Sequence, residues 1–113
     1  MQLSDNYLKS SRRIVIDFNL LQMHAMPFDK FDPQELVETA ASAHVDCIWH
    51  FAKDHNGYAL YPTKVGIRNT RLDYDVMEEM VRCAHARGIK LFAYSSLGFD
   101  TAVVCKHPDW GIV

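Results

Sequence analysis

The sequence predicts an α/β fold in which parallel strands alternate with helices. Three observations carry this reading. Apolar runs rich in β-branched and aromatic residues recur at residues 13–18, 45–51 and 89–94, and the first lacks polar alternation, as in a parallel strand buried on both faces. Between these runs lie segments with helix-start signals, apolar stripes at helical spacing and stop signals. The resulting order of strand, helix, strand, helix, strand, helix is that of right-handed βαβ units building a parallel sheet.

Taken in order, residues 1–13 are a polar lead-in, with one helical turn expected around Tyr7 and Leu8, and residues 13–18 form the first strand. Residues 19–31 contain Met23, His24, Met26, Pro27 and Phe28, an irregular connection too apolar for an idle surface loop. Asp32-Pro33-Gln34-Glu35 starts a helix: Asp at the N-cap, Pro at the first helical position and Glu at the third. Its stripe of Leu36, Val37, Ala40 and Ala41 faces the sheet. The second strand, residues 45–51, opens into a long loop through Lys64 that concentrates Lys53, Asp54, His55, Asn56, Gly57, Tyr58 and Tyr61. Connections in α/β units usually take about 2 to 6 residues, and long loops at strand ends tend to carry function. Asp73 is the expected cap of the second helix. Its apolar stripe is Val76, Met77, Met80, Val81 and Ala84, with Asp75, Glu78, Glu79, Arg82 and Arg87 facing water, and Gly88 stands where a left-handed cap is required. The third strand, residues 89–94, leaves through Ser95-Ser96-Leu97-Gly98-Phe99. Asp100 caps a short helix over residues 101–106, Pro108 stops it, and residues 110–113 read as the approach to another strand.

At 113 residues, 49% of them hydrophobic, the chain fits one domain with a sizeable core. A net charge of -2 with both signs interspersed provides no footprint for nucleic acid or an anionic membrane. No apolar run spans a bilayer and the first residues hold no signal-peptide core, so the chain reads as soluble and cytoplasmic. Cys47, Cys83 and Cys105 are odd in number and lack close spacing, which points to free thiols.

Two parallel architectures are compatible with this pattern, a small doubly wound sheet and part of a (β/α)8 barrel. Asn19-Leu20-Leu21-Gln22 carries no glycine to cradle a phosphate, so no dinucleotide or flavin cofactor is expected. Asp17-Phe18-Asn19 replaces the His-x-His of a barrel metal site, so no metal is expected, and Ser95 and Ser96 lack a nucleophile elbow. Either architecture gathers ligands at the carboxyl ends of its strands. That edge selects Asp17 and Asn19, then Lys53, Asp54, His55 and Asn56, then Tyr94, Ser95 and Ser96. Asp17 alternatively pairs with Lys53 or Lys90, and Lys53 serves either as an ion-pair partner or as a contact for a hydroxyl. His24 reads as a packed loop residue. His55 is the strongest candidate, because a neutral imidazole both donates to and accepts from a sugar hydroxyl. Tyr61 and Tyr58 are loop packing or a stacking wall.

Lys53-Asp54-His55-Asn56-Gly57-Tyr58-Ala59-Leu60-Tyr61-Pro62-Thr63-Lys64 resembles the Lys-His-His-Asp-Gly-Phe-x-Leu-Trp-Pro-Ser-Lys of α-L-fucosidase-like glycoside hydrolases and their uncharacterised relatives. The segment from Arg87 to Gly98 is similar to that family's Arg-Gly-Leu-Lys-x-Gly-x-Tyr-Tyr-Ser-Leu, and His107-Pro108-Asp109-Trp110 to the relatives' His-Pro-Glu-Trp. The resemblance implies that residues 1–113 are the first three βα units of a catalytic (β/α)8 barrel. It places a sugar-hydroxyl contact at His55 and an aromatic wall at Tyr61. Asp54 stands for the family's first His, Asn56 for its Asp, and Asn19 for a sugar-binding His. Glycoside hydrolysis generally uses two carboxyl groups, and the family's nucleophile comes from a later strand, so no catalytic residue is assigned here. The expectation is a fragment of a glycoside hydrolase that contacts its carbohydrate substrate through Asn19, Lys53, His55, Tyr61 and Tyr94. The alternative is a non-catalytic α/β module that binds carbohydrate or protein. An open sheet of this kind is expected to self-associate or to depend on a missing C-terminal portion.

Overall fold

The structure, a computed structural model, describes residues 9–18 and 30–111. The turn expected at Tyr7 and Leu8, the connection carrying Asn19 and His24, and the last residues, Ile112 and Val113, lie outside the described residues. The elements are β1 (Arg13–Ile16), α1 (Pro33–Ser42), β2 (Cys47–Lys53), β3 (Tyr58–Ala59), β4 (Ile67–Arg68), α2 (Val76–Ala86), β5 (Lys90–Ser95) and α3 (Thr101–Lys106), followed by a 3-10 turn at Pro108–Trp110.

β2 is the centre of the sheet. It pairs in parallel with β1, Ile14 against Ile48 and Ile16 against His50, and in parallel with β5, Ile48 against Leu91 and Phe51 against Tyr94. The three long strands therefore run side by side in sequence order and end at one edge. A shift in register between Phe51 and Lys53 leaves Ala52 as an extra residue on β2, and an irregularity of this kind re-aims the residues that follow it.

The long loop is more ordered than expected. β3 turns back antiparallel to β2, Lys53 against Ala59, and β4 lies parallel to β3. Two residues per strand leave no periodicity to read.

Side chains alternate across a strand, which divides the sheet into two unlike faces. Ile14, Ile16, Ile48 and Leu91 join Val37 and Ala40 of α1 and Val76, Met80, Cys83 and Ala84 of α2 in the core. On the other face the register partners Val15, Trp49 and Phe92 are aligned; Val15 is 62% exposed and the Trp49 and Phe92 rings stand 5.9 Å apart. β1 is thus covered on one face among the described residues, not on both as its apolar run predicts, because both sheet-packing helices lie on the same side.

Local signals explain the helix ends. Asp32 accepts from the amides of Gln34 and Glu35, with Pro33 opening α1. In α2 the cap is Asp75, which accepts from Glu78 N at 2.9 Å, rather than Asp73. The buried stripe is Val76, Met80, Cys83 and Ala84, so Cys83 is buried where Val81 was expected, and Val81 is 37% exposed. Both helices close alike: His44 N and Gly88 N donate one turn back to Ala41 O and His85 O, and Val45 N and Ile89 N to Ala40 O and Ala84 O. The left-handed position is Gly88 in α2 (φ 67°) and a non-glycine, His44, in α1 (φ 58°). Asp100 caps α3 by accepting from Val103 N. Trp110 ends the final 3-10 turn and Gly111 has an extended backbone; the rest of the expected approach to another strand lies outside the described residues.

Candidate functional site

The site grows from the carboxyl ends of β2 and β5. Asp54 Oδ1 accepts from Tyr58 N at 2.9 Å, and Gly57 N donates to Asp54 O. These bonds fold residues 54–58 into a tight turn that presents His55. Gly57 takes φ 94°, which favours glycine. A side chain there would also put its Cβ 2.0 Å from Asp100 Oδ1.

That approach reflects a close seam between the β2 loop and the loop that follows β5. Lys53 Nζ pairs with Asp100 Oδ2 at 2.6 Å, with the two side chains 23% and 16% exposed. Ser96 N donates to Lys53 O, Thr101 N to His55 O and Ala102 N to Asn56 O. The first amides of a helix lack partners within it, so the turn carrying His55 satisfies the start of α3 while α3 holds the turn.

Around His55 the side chains are aromatic. Its ring lies 6.4 Å from Tyr94, 6.0 Å from Phe51 and 5.1 Å from Phe99, and Phe51 meets Tyr94 edge-on at 4.5 Å. Phe51 is buried in the core and Tyr94 packs against it, so the cluster adjoins the core at the carboxyl edge of the sheet. An imidazole flanked by aromatic faces matches a sugar, which has hydroxyls around its rim and apolar C–H faces.

Of the residues expected to contact ligand, the structure brings His55 and Tyr94 together, with Lys53 one turn away in its ion pair. Tyr61, just beyond β3, is exposed and among the described residues makes no ring contact with the cluster. Asn19 is outside the described residues. Asp17 is exposed just past β1. Lys53 pairs with Asp100, and Lys90 donates to Ser10 Oγ. Ser96 is buried, and its hydroxyl donates to Phe99 O.

Three features escaped the sequence reading. Asp100, expected only as a helix cap, is also the ion-pair partner of Lys53. Phe99 lies against His55, although nothing in its loop distinguishes it from ordinary exit-loop packing. His50 is fully buried on the helix side of β2, with the rings of Phe18 at 4.9 Å and Phe31 at 6.0 Å. Its Nδ1 lies 2.9 Å from Phe51 O. A carbonyl only accepts, so Nδ1 carries the proton and Nε2 keeps a lone pair that has no hydrogen-bond partner among the described residues. Burial lowers the His50 pKa to about 4. Asp54 is likewise fully buried, and among the described residues its Oδ2 has no hydrogen-bond partner. A groove of about 450 Å³ between β1 and α1, lined by Ile14, Ile16, Phe31, Leu36 and Val45 among others, lies on the helix side and away from His55.

Parallel strands ending on one edge, with polar and aromatic side chains gathered there, define an α/β unit of the kind in which ligands collect at the carboxyl ends of the strands. Residues 32–113 match the model of hypothetical glycosyl hydrolase 6, and the chain belongs to that family. Among solved structures, α-L-fucosidase isoenzyme 2 from Paenibacillus thiaminolyticus is 31% identical with a TM-score of 0.80, over 88% of this chain and 15% of that one. A GH29 α-L-fucosidase from Bacteroides thetaiotaomicron is 28% identical with a TM-score of 0.56, over 65% and 17%. The chain thus spans less than a fifth of the length of these relatives. No curated protein sequence matches it. Among the described residues no helix is long and apolar enough to cross a membrane.

Proposed function

We propose that the chain is the opening part of a glycoside hydrolase (β/α)8 barrel and that it supplies sugar-contacting residues at the carboxyl ends of the first three parallel strands. His55 is the principal hydrogen-bonding group. Tyr94 and Tyr61 provide ring surface, Lys53 supports the turn and can reach a hydroxyl, and Asn19 completes the contact from the first strand. The observation that carries the reading is the meeting of His55 and Tyr94 at the common edge of β2 and β5. Strands added in sequence order, with α1 and α2 on one face, suit a closed barrel better than a doubly wound sheet, in which the strand order reverses at a switch point.

The uncovered Val15, Trp49 and Phe92 face would be barrel interior, and the outer edges of β1 and β5, unpaired among the described residues, would receive the remaining strands. The chain alone therefore contacts sugar without completing hydrolysis, and it self-associates or requires those further strands. The likeness to α-L-fucosidases makes an α-L-fucoside the first substrate to try, and the residues at positions 19, 54 and 56 differ from the fucosidase pattern where selectivity for the sugar would be set.

The test is calorimetry of the 113-residue chain against a panel of monosaccharides, beside an assay with an aryl α-L-fucoside. Saturable binding that weakens roughly 10-fold in His55→Ala, with no turnover, is the expected result. Turnover that disappears in His55→Ala would establish a complete active site within the chain. Absence of binding to every sugar would defeat the proposal.

A further inference from the structure

We infer that the exposed face of Phe99 binds the apolar group adjoining the sugar held at His55, namely an aromatic aglycone; this rests on the sugar-site reading above. Exposure alone would mean little, since single apolar residues on a surface are ordinary. Phe99 differs because its backbone is fixed while 68% of the residue stays open to solvent. Its carbonyl accepts from the buried Ser96 hydroxyl at 2.9 Å, and the Ser96 amide is bonded to Lys53 O. The next residue, Asp100, is held by both the α3 cap and the Lys53 ion pair.

The Phe99 ring lies 5.1 Å from His55 at an interplanar angle of 33°. One side thus rests on the candidate sugar contact, and the remainder faces outward at the rim. Leu97, on the same loop, is 91% exposed and adds apolar surface. A glycoside whose sugar bonds to His55 has its next group beside this ledge. Flat aromatic groups gain most from such a surface, through offset or tilted stacking at ring separations of about 4.5 to 7 Å. Because the loop is already held, little ordering cost opposes the contact.

Titration of the chain with methyl α-L-fucoside and with phenyl α-L-fucoside tests this, because the two share the sugar and differ only in the adjoining group. The phenyl compound is expected to bind roughly 3- to 10-fold more tightly. Phe99→Ala should abolish that preference and Phe99→Leu should reduce it, read in each variant as the ratio of the two glycosides' affinities. Equal affinities in the wild-type chain, or a preference that survives Phe99→Ala, overturn this inference while leaving the sugar site standing. Failure of both glycosides to bind overturns the two together.

Discussion

His50→Leu should remove a specific pH dependence of stability. In the unfolded chain His50 takes up a proton near its ordinary pKa of 6.5, whereas in the fold burial lowers this to about 4. Between those values the unfolded state binds a proton that the folded state refuses. Stability contributed at neutral pH is therefore lost as pH falls through the unfolded pKa, and the loss levels off below the folded one. At 1.36 kcal/mol per pH unit the whole interval corresponds to about 3 kcal/mol, of which about 2 kcal/mol falls between about pH 7 and pH 5. The assay is urea unfolding of both proteins at a series of pH values and one protein concentration. The other five histidines are common to both proteins, so the difference between the two isolates His50. Because the variant loses both the Phe51 hydrogen bond and the unpartnered Nε2, the neutral-pH difference alone is not diagnostic. The pH slope is. A difference that stays constant from about pH 7 to pH 5 would show that His50 is not held neutral in the core.

Other substitutions probe the seam and the caps. Gly57→Ala adds a Cβ where Asp100 Oδ1 sits, at a φ that disfavours alanine; a loss of roughly 1 to 3 kcal/mol is expected in chemical denaturation, and an unchanged midpoint would refute the close approach. Asp100→Asn should cost about 1 to 2 kcal/mol, between the values for exposed and buried ion pairs, and a cost that vanishes in moderate salt would show that the pair is merely a surface contact. At the helix ends the two left-handed positions should respond in opposite directions. His44→Gly should stabilise by roughly 0.5 to 1 kcal/mol and Gly88→Ala destabilise by about 1 kcal/mol, read as shifts in thermal midpoint; the same sign for both would contradict the shared closing geometry.

Features that a few neighbouring residues determine were legible in the sequence. Asp32-Pro33 marked the start of α1, Gly88 the end of α2, and the apolar runs marked the three long strands. The second helix start was misplaced by two residues because Asp73 and Asp75 both precede the same apolar stripe, and only the reach to the Glu78 amide decides between them. β3 and β4 were missed because two-residue strands are specified by their pairing partners. The seam itself was out of reach: Lys53 and Asp100 are 47 residues apart, and the contact of Phe99 with His55 exists only once β5 lies beside β2. Separation in sequence likewise hid the neutral imidazole of His50, whose ring neighbours Phe18 and Phe31 both precede α1. The site was therefore legible as a set of strand ends, and the coupling between them was not.

The central claim is that the tips of adjacent parallel strands serve one ligand. Aromatic carbon–proton NMR spectra of the chain during titration with methyl α-L-fucoside test it most directly. The account predicts that His55 and Tyr94 resonances shift together, with one apparent dissociation constant, while Tyr74 and Trp110 stay in place. Shifts confined to Tyr74 or Trp110, or separate saturation of His55 and Tyr94, would contradict it.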